Sequence, residues 1–232
     1  MNLLAIDTSS LACSVALQSD GKLTQRHEEL AREHTRLLTP MIRDVLDDAA
    51  LSIEQMDAIV LGNGPGSFIG MRIAASVAQG LAHGAGLLVV PVSSLAAIAA
   101  EVLEDSKAAE VVVAQDAHMS EVYLGAFLRG PGNMPAPLFP ERLHAQRVIE
   151  ELESDTADSR VAAGFGWQRY PGLVAANEGL IGQSSTVLHP RARCLIPLGA
   201  AAWEAGAAIK PGDLVPAYLR SKVAEKPSTG KA

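Results

Sequence analysis

The sequence predicts a duplicated α/β fold of two lobes, each a mixed sheet flanked by helices. Three observations carry that prediction. Apolar strand segments alternate with helical segments through the first half of the chain, and a strand, Asp and hairpin pattern recurs 109 residues after its first appearance, with Asp116 at the position of Asp7. A chain of 232 residues at 48% hydrophobic content also suffices for two cores.

The elements follow in order. Leu3 to Ile6 is a short apolar strand ending at Asp7, Thr8, Ser9 and Ser10, and Cys13 to Leu17 resumes as the second strand of a hairpin. Asp20 and Gly21 turn into a third strand running through about Leu30. Glu33 to Ala50 has helical periodicity at Leu37, Leu38, Met41, Ile42, Val45, Leu46 and Ala49, forming two adjacent stripes that are wider than one sheet contact needs. Ala58 to Leu61 is a buried strand, Ser67 to His83 a helix, Leu87 to Val90 a strand, and Ser93 to Glu104 a helix capped by Ser93 or Ser94.

The second lobe opens with Val111 to Gln115, then Asp116, then alternating Val122, Tyr123, Leu124, Ala126 and Phe127. Gly130 to Pro140, rich in proline, reads as a surface excursion. His144 to Leu152 is expected as a helix, Arg160 to Ala163 as a strand, and Leu195 to Ala208 as a helix packed through Leu198, Ala201, Ala202 and Ala205. The expected lobes are residues 1–105 and 106–223, with a disordered polar tail at 224–232.

Between Val60 and Arg72 the chain reads VLGNGPGSFIGMR. A P-loop needs Lys and then Ser or Thr after its second glycine, and a dinucleotide loop needs GxGxxG; neither is present. What remains is Gly62, Gly64 and Gly66 for a tight turn, Pro65 to fix φ, and Ser67 as N-cap of the helix from Phe68. That helix is apolar nearly all round, with small residues at Gly70, Ala74, Ala75, Ser76, Ala78 and Gly80 and a charge at Arg72. It reads either as a buried core helix or as a close-packing interface.

Composition bounds the function. A net charge of −7 argues against autonomous binding of nucleic acid, which draws its affinity from Lys and Arg, so any nucleic acid is held through a partner. Two cysteines, Cys13 and Cys194, make neither a metal knuckle nor a disulfide framework and fit a reducing compartment. The N-terminus lacks a basic leader region, and the apolar stretch Gly86 to Ala100 is broken by Pro91, Ser93 and Ser94. The expectation is a cytoplasmic protein without a membrane segment.

Few side chains cluster for chemistry. Asp7, at the carboxyl end of a strand and followed by Thr8, Ser9 and Ser10, reads either as a phosphate or hydrated-metal contact or as an Asx turn. Asp116 has the same two readings with fewer hydroxyls beside it. No histidine pair has the i, i+4 spacing of a zinc site, and His34 at a helix start reads as a capping or interface residue. No metal ligand and no catalytic residue is assigned.

LAIDTSS near the start, EHTRLLTPMI, DAIVLGNGPGSFIGMRIA, DAHMSEVY and the closing PAYLRSKVA resemble the TsaB (YeaZ) family of tRNA threonylcarbamoyladenosine biosynthesis proteins, over about 220 positions. The resemblance implies an actin-like, ribonuclease H-like fold and a non-catalytic subunit. The related TsaD, which carries a pair of metal-binding histidines, transfers the threonylcarbamoyl group to the adenosine next to the anticodon. This subunit is implied to pair with TsaD through its first two helices, to help recruit the ATPase TsaE, and to homodimerise when alone. The implied interface is His34, Leu37, Leu38, Met41, Ile42 and Val45 on the first helix and Phe68, Ile69, Arg72, Ile73, Ser76 and Val77 on the second. No cofactor is assigned to the chain itself; ATP or ADP enters at the level of the complex.

Two alternatives stand beside it: an actin-like ATPase or kinase using Asp7 and Thr8 to Ser10, and a glycoprotease-type metallopeptidase. The sequence also departs from the family pattern. Ile69 occupies a place where Thr is common, and His118 and Ser120 stand where Arg and Gly are expected. Loss of a hydroxyl at the helix start weakens a phosphate role there, whereas Ile adds apolar surface.

Overall fold

The computed structural model describes residues 1–220 and contains two five-stranded mixed sheets. The first has the order β3-β2-β1-β4-β5, built from β1 (Leu3–Asp7), β2 (Cys13–Ser19), β3 (Lys22–Glu28), β4 (Ala58–Gly62) and β5 (Leu88–Val92). The second has the order β10-β9-β6-β7-β8, built from β6 (Glu110–Asp116), β7 (Glu121–Arg129), β8 (Pro135–Ala145), β9 (Arg160–Ala163) and β10 (Gln183–Ser184). Read from their hairpin ends the two orders are the same, with two antiparallel pairings followed by two parallel ones. The pattern shared by Asp7 and Asp116 is therefore a duplication of architecture, not a chance likeness of hairpins.

Both faces of the first sheet are buried at β1, which is why that strand reads as an unbroken apolar run. Leu4 and Ile6 face α1 (His34–Ala49) and α2 (Phe68–Ala85), while Leu3 and Ala5 face α6 (Ala192–Glu204). On the second sheet, α3 (Ser94–Asp105) covers one face and the short α4 (Phe165–Arg169) and α5 (Pro171–Ala176) the other. The helices thus cross over. α3, before the expected lobe boundary, packs on the second sheet, and α6, after it, packs on the first. Gly199 permits the approach of α6, since a Cβ there would stand 2.4 Å from Val60 Cγ2.

Three expectations are corrected. Residues 144–152 do not form a helix: His144 pairs with Val122 in β8, the strand ends at Ala145, and Ile149 is fixed in the following turn by its N–H to Asn177 Oδ1 at 2.9 Å. The spacing of the buried Ile149 and Leu152 imitates a helix face, but both fill the core from irregular chain. The proline-rich excursion is mostly strand, because β8 is an edge and Pro135, Pro137 and Pro140 deprive no further neighbour of a ladder bond. Finally, α6 packs through Ala192, Cys194, Leu195, Ile196 and Gly199, with the expected Leu198 and Ala202 partly buried against the same core, whereas Ala201 and Ala205 are exposed.

No helix among the described residues is long and apolar enough to cross a membrane. The expected tail at 224–232 lies outside the described residues.

Candidate functional site

The Asp7 turn and the glycine string, far apart in sequence, form one locus. Parallel pairing sets Ile6 against Leu61, so the next residues on the two strands, Asp7 and Gly62, emerge side by side. Asp7 Oδ1 accepts the Ser9 N–H and the Ser9 hydroxyl, each at 2.8 Å, and Oδ2 accepts the Ser94 hydroxyl at 2.6 Å. The glycines close over this turn. An added Cβ would stand 2.1 Å from the Ser9 carbonyl oxygen at Gly66 and 1.9 Å from the Thr8 carbonyl oxygen at Gly70. Ser67 N–H donates to Ser9 O at 2.6 Å, and the Thr8 hydroxyl donates to Gly70 O at 2.7 Å.

Asp7 is 1% exposed, and burial raises its carboxyl to about 6 against the hydrogen bonds from Ser94 and Ser9, which lower it. Thr8 and Ser9 are buried with it. The donors that meet this carboxylate come from Ser9 and Ser94 of the lobe itself.

The cleft between the lobes, about 810 Å³ in volume, lies beside this locus and is lined by Ser10, Arg32, His34, Asp116, His118 and His189 among others. Of the five residues expected at a nucleotide, only Ser10 and Asp116 border it. Asp116 Oδ1 accepts the His118 N–H at 2.8 Å and the Tyr170 hydroxyl at 2.6 Å, so its carboxylate also closes an Asx turn. His34 is buried at the start of α1, and desolvation lowers its pKa while a bond to the Ser10 backbone raises it. Among the described residues, no group of three or more His, Cys, Asp or Glu is placed to hold a metal ion. A second cavity of about 880 Å³ lies in the second lobe beside Trp167, Val174 and Gln183.

The two helices differ in what they leave open. On α1, Leu38, Met41, Ile42 and Val45 are buried in the lobe's own core, Leu37 is partly buried against it, and His34 is buried at the cleft. Both apolar stripes are therefore used within the lobe. On α2 the buried face is Gly70, Met71, Ala74, Ala75, Ala78 and Ala82; Ile69 is 70% exposed, Arg72 and Ser76 are exposed, and Phe68, Ile73 and Val77 are half-buried. Ser67 caps the helix, accepting the Gly70 N–H at 3.2 Å. A large apolar side chain thus stands in water at the start of α2, and Ile69 and Ile73 border the cleft.

A curated relative from Escherichia coli (strain K12), the "tRNA threonylcarbamoyladenosine biosynthesis protein TsaB", is 36% identical over 231 residues, covering 100% of both chains. This chain belongs to the TsaB family. A TsaB from Haemophilus influenzae is likewise 36% identical, covering 100% of this chain and 98% of its own. The solved structure "YeaZ from Pseudomonas aeruginosa" superposes with a TM-score of 0.83 at 33% identity, covering 93% of this chain and 100% of that one. Another from that organism, described as similar to peptidase YEAZ, gives 0.84 at 36% identity, covering 94% and 99%. A family model described as "TsaD: tRNA N6-adenosine threonylcarbamoyltransferase" matches residues 25–136. The duplicated, two-lobed actin-like fold expected from the sequence is the fold of this TsaB-family chain.

Sequence reasoning missed the closeness of Asp7 to the glycines and the placement of residues 216–220. Tyr218 lies on α2, where its hydroxyl accepts a bond from Arg72 Nε at 3.0 Å. The signal is the PAYLR string, which sets an aromatic residue and an arginine two positions apart after a proline.

Proposed function

We propose that this chain is a scaffold subunit of tRNA threonylcarbamoyladenosine biosynthesis that docks TsaD along the α2 seam, helps recruit TsaE, and performs no chemistry of its own. The observation that carries the reading is the exposure of Ile69 at 70% beside half-buried Ile73 and Val77, on the helix that leaves the glycine turn. The enclosure of Asp7 supports it, since the carboxylate that a cleft-binding nucleotide would need is occupied within the lobe. The net charge of −7 favours tRNA held by the complex over tRNA held by this subunit. The same seam on two copies makes a homodimer when the partner is absent.

Mixing the chain with TsaD and TsaE, with each omitted in turn, tests the reading. Modified tRNA should form only with all three, and light scattering should show the mass of a heteromer. Modification by this chain alone, or no association with TsaD, overturns it.

A further inference from the structure

The closing string Pro216 to Arg220 has no part in the reading above, yet it joins the two lobes. After α6, Ile209 makes an antiparallel bridge to Val89 at the edge of β5, with bonds of 2.9 and 2.8 Å, and Leu214 is buried in the first-lobe core. The carbonyls of Pro211 and Leu214 accept from Gln79 Nε2 at 2.9 and 3.4 Å. Asn63 then holds the strand of chain twice, Nδ2 to Val215 O at 3.0 Å and Ala217 N–H to Asn63 O at 3.0 Å. Tyr218 rests on α2, its ring 5.4 Å from that of Phe68, with the Arg72 guanidinium 3.7 Å above the Phe68 ring.

Two residues further on, the chain reaches the other lobe. Arg220 donates to Ala117 O at 2.9 Å, to Glu121 Oε2 at 2.6 Å and to His118 O at 3.4 Å, and its other terminal nitrogen lies 3.4 Å from Met119 Sδ. These groups form the turn between β6 and β7, where His118, Met119 and Ser120 adopt φ of 59°, 51° and 61°. Side-chain-bearing residues rarely adopt that region and persist in it only where surrounding contacts hold them. The Arg220 side chain is 13% exposed and Glu121 34%, so the pair is shielded from salt more than a surface pair. Asp116 and His118 line the cleft from the second lobe, and Ile69 and Ile73 from the first. The segment therefore runs from one wall of the cleft to the other.

We propose that Pro211 to Arg220 is a latch that fixes the opening of the inter-lobe cleft, with Arg220 as its catch on the β6–β7 turn. Because Tyr218 lies on α2, a partner seated on that helix also bears on the latch; this clause alone rests on the docking reading. A charged, multidentate contact at the end of a strap fixes geometry in a way that a single neutral bond does not.

The test uses the full chain by itself, so that it stands or falls apart from any partner. Amide exchange is followed in wild type, Arg220→Met and Glu121→Gln, together with spin-label distances between Asp44→Cys on α1 and Glu150→Cys in the second lobe; the native cysteines are buried. In Arg220→Met, exchange across 117–122 should rise about tenfold or more, and the distance distribution should broaden and lengthen, at unchanged far-ultraviolet circular dichroism. Glu121→Gln should give a smaller change in the same direction. Wild-type exchange and distances in Arg220→Met overturn the latch, whereas failure of TsaD to bind would overturn only the docking reading.

Discussion

The Asp7 carboxylate occupies the space that a side chain on Gly62 would need: an added Cβ would lie 1.9 Å from Oδ2. The absence of a side chain at Gly62 and the burial of the charge at Asp7 are one arrangement, made by the parallel register of β1 and β4.

Alanine at Gly62 should therefore destabilise the fold by at least the ~1–3 kcal/mol of an overpacked core, and Gly70→Ala by as much, because its obstacle is the Thr8 backbone. Gly80 is the control. It lies in α2 with nothing within 4 Å of an added Cβ, and Gly80→Ala should gain ~0.5–1 kcal/mol. Urea unfolding of the three variants checks the ordering, and equal losses at 62 and 80 would contradict it.

A second prediction concerns pH. Burial raises the Asp7 carboxyl from 3.8 to about 6, so the folded state holds this proton more tightly than the unfolded chain. The stability contributed by the group is fully present below the unfolded value and is lost as pH rises to the folded one; above that the penalty is constant, on the order of 3 kcal/mol. Asp7→Asn keeps an acceptor for Ser9 and removes the charge. The stability difference between variant and wild type should grow across this window and then level off, while TsaD binding is retained. A flat difference, or micromolar ATP binding by wild type that the variant lacks, would return Asp7 to a ligand role.

On the helices, burial separates a docking defect from a folding defect. Ile69→Glu should weaken TsaD association at least tenfold with an unchanged melting temperature, since the residue is 70% exposed. Met41→Glu, at 5% exposure, should instead unfold the lobe, because it buries a carboxylate without a partner. Association and thermal melts measured together distinguish the two.

In the second lobe, Arg160 and Glu110 are 1% and 4% exposed and meet at 2.8 Å, with Arg160 also donating to the Leu180 and Glu153 carbonyls. Arg160→Met should cost ~3–5 kcal/mol by leaving Glu110 buried and unpaired. Adding Glu110→Gln should recover part of that loss in chemical denaturation. No recovery would mean that the carbonyl contacts, and not the ion pair, carry the effect.

The elements of the first lobe were legible because turn chemistry and periodicity agree there: Ser67 and Ser93 both cap the helices they precede, and apolar runs of strand length mark β1 and β4. The second lobe was less so. Its edge strand β8 tolerates prolines that local rules read as loop, and Ile149 and Leu152 imitate a helix face. At the site, Asp7 and the glycine string were each visible, but their contact depends on β1 pairing with β4 across the intervening residues 8–57. The wide apolar stripe of α1 is not surplus. The sheet, α2 and the segment after Ala49 use nearly all of it.

The crossing of α3 and α6 governs how such a chain is made. As the polypeptide leaves the ribosome, β1 to β5 can pair early, but the sheet face carrying Leu3, Ala5 and Val60 stays uncovered until α6 follows from the far end of the chain. α3, meanwhile, is synthesised before any strand of the sheet it covers. Neither lobe finishes alone, and in the interval between them an apolar face stays unclosed.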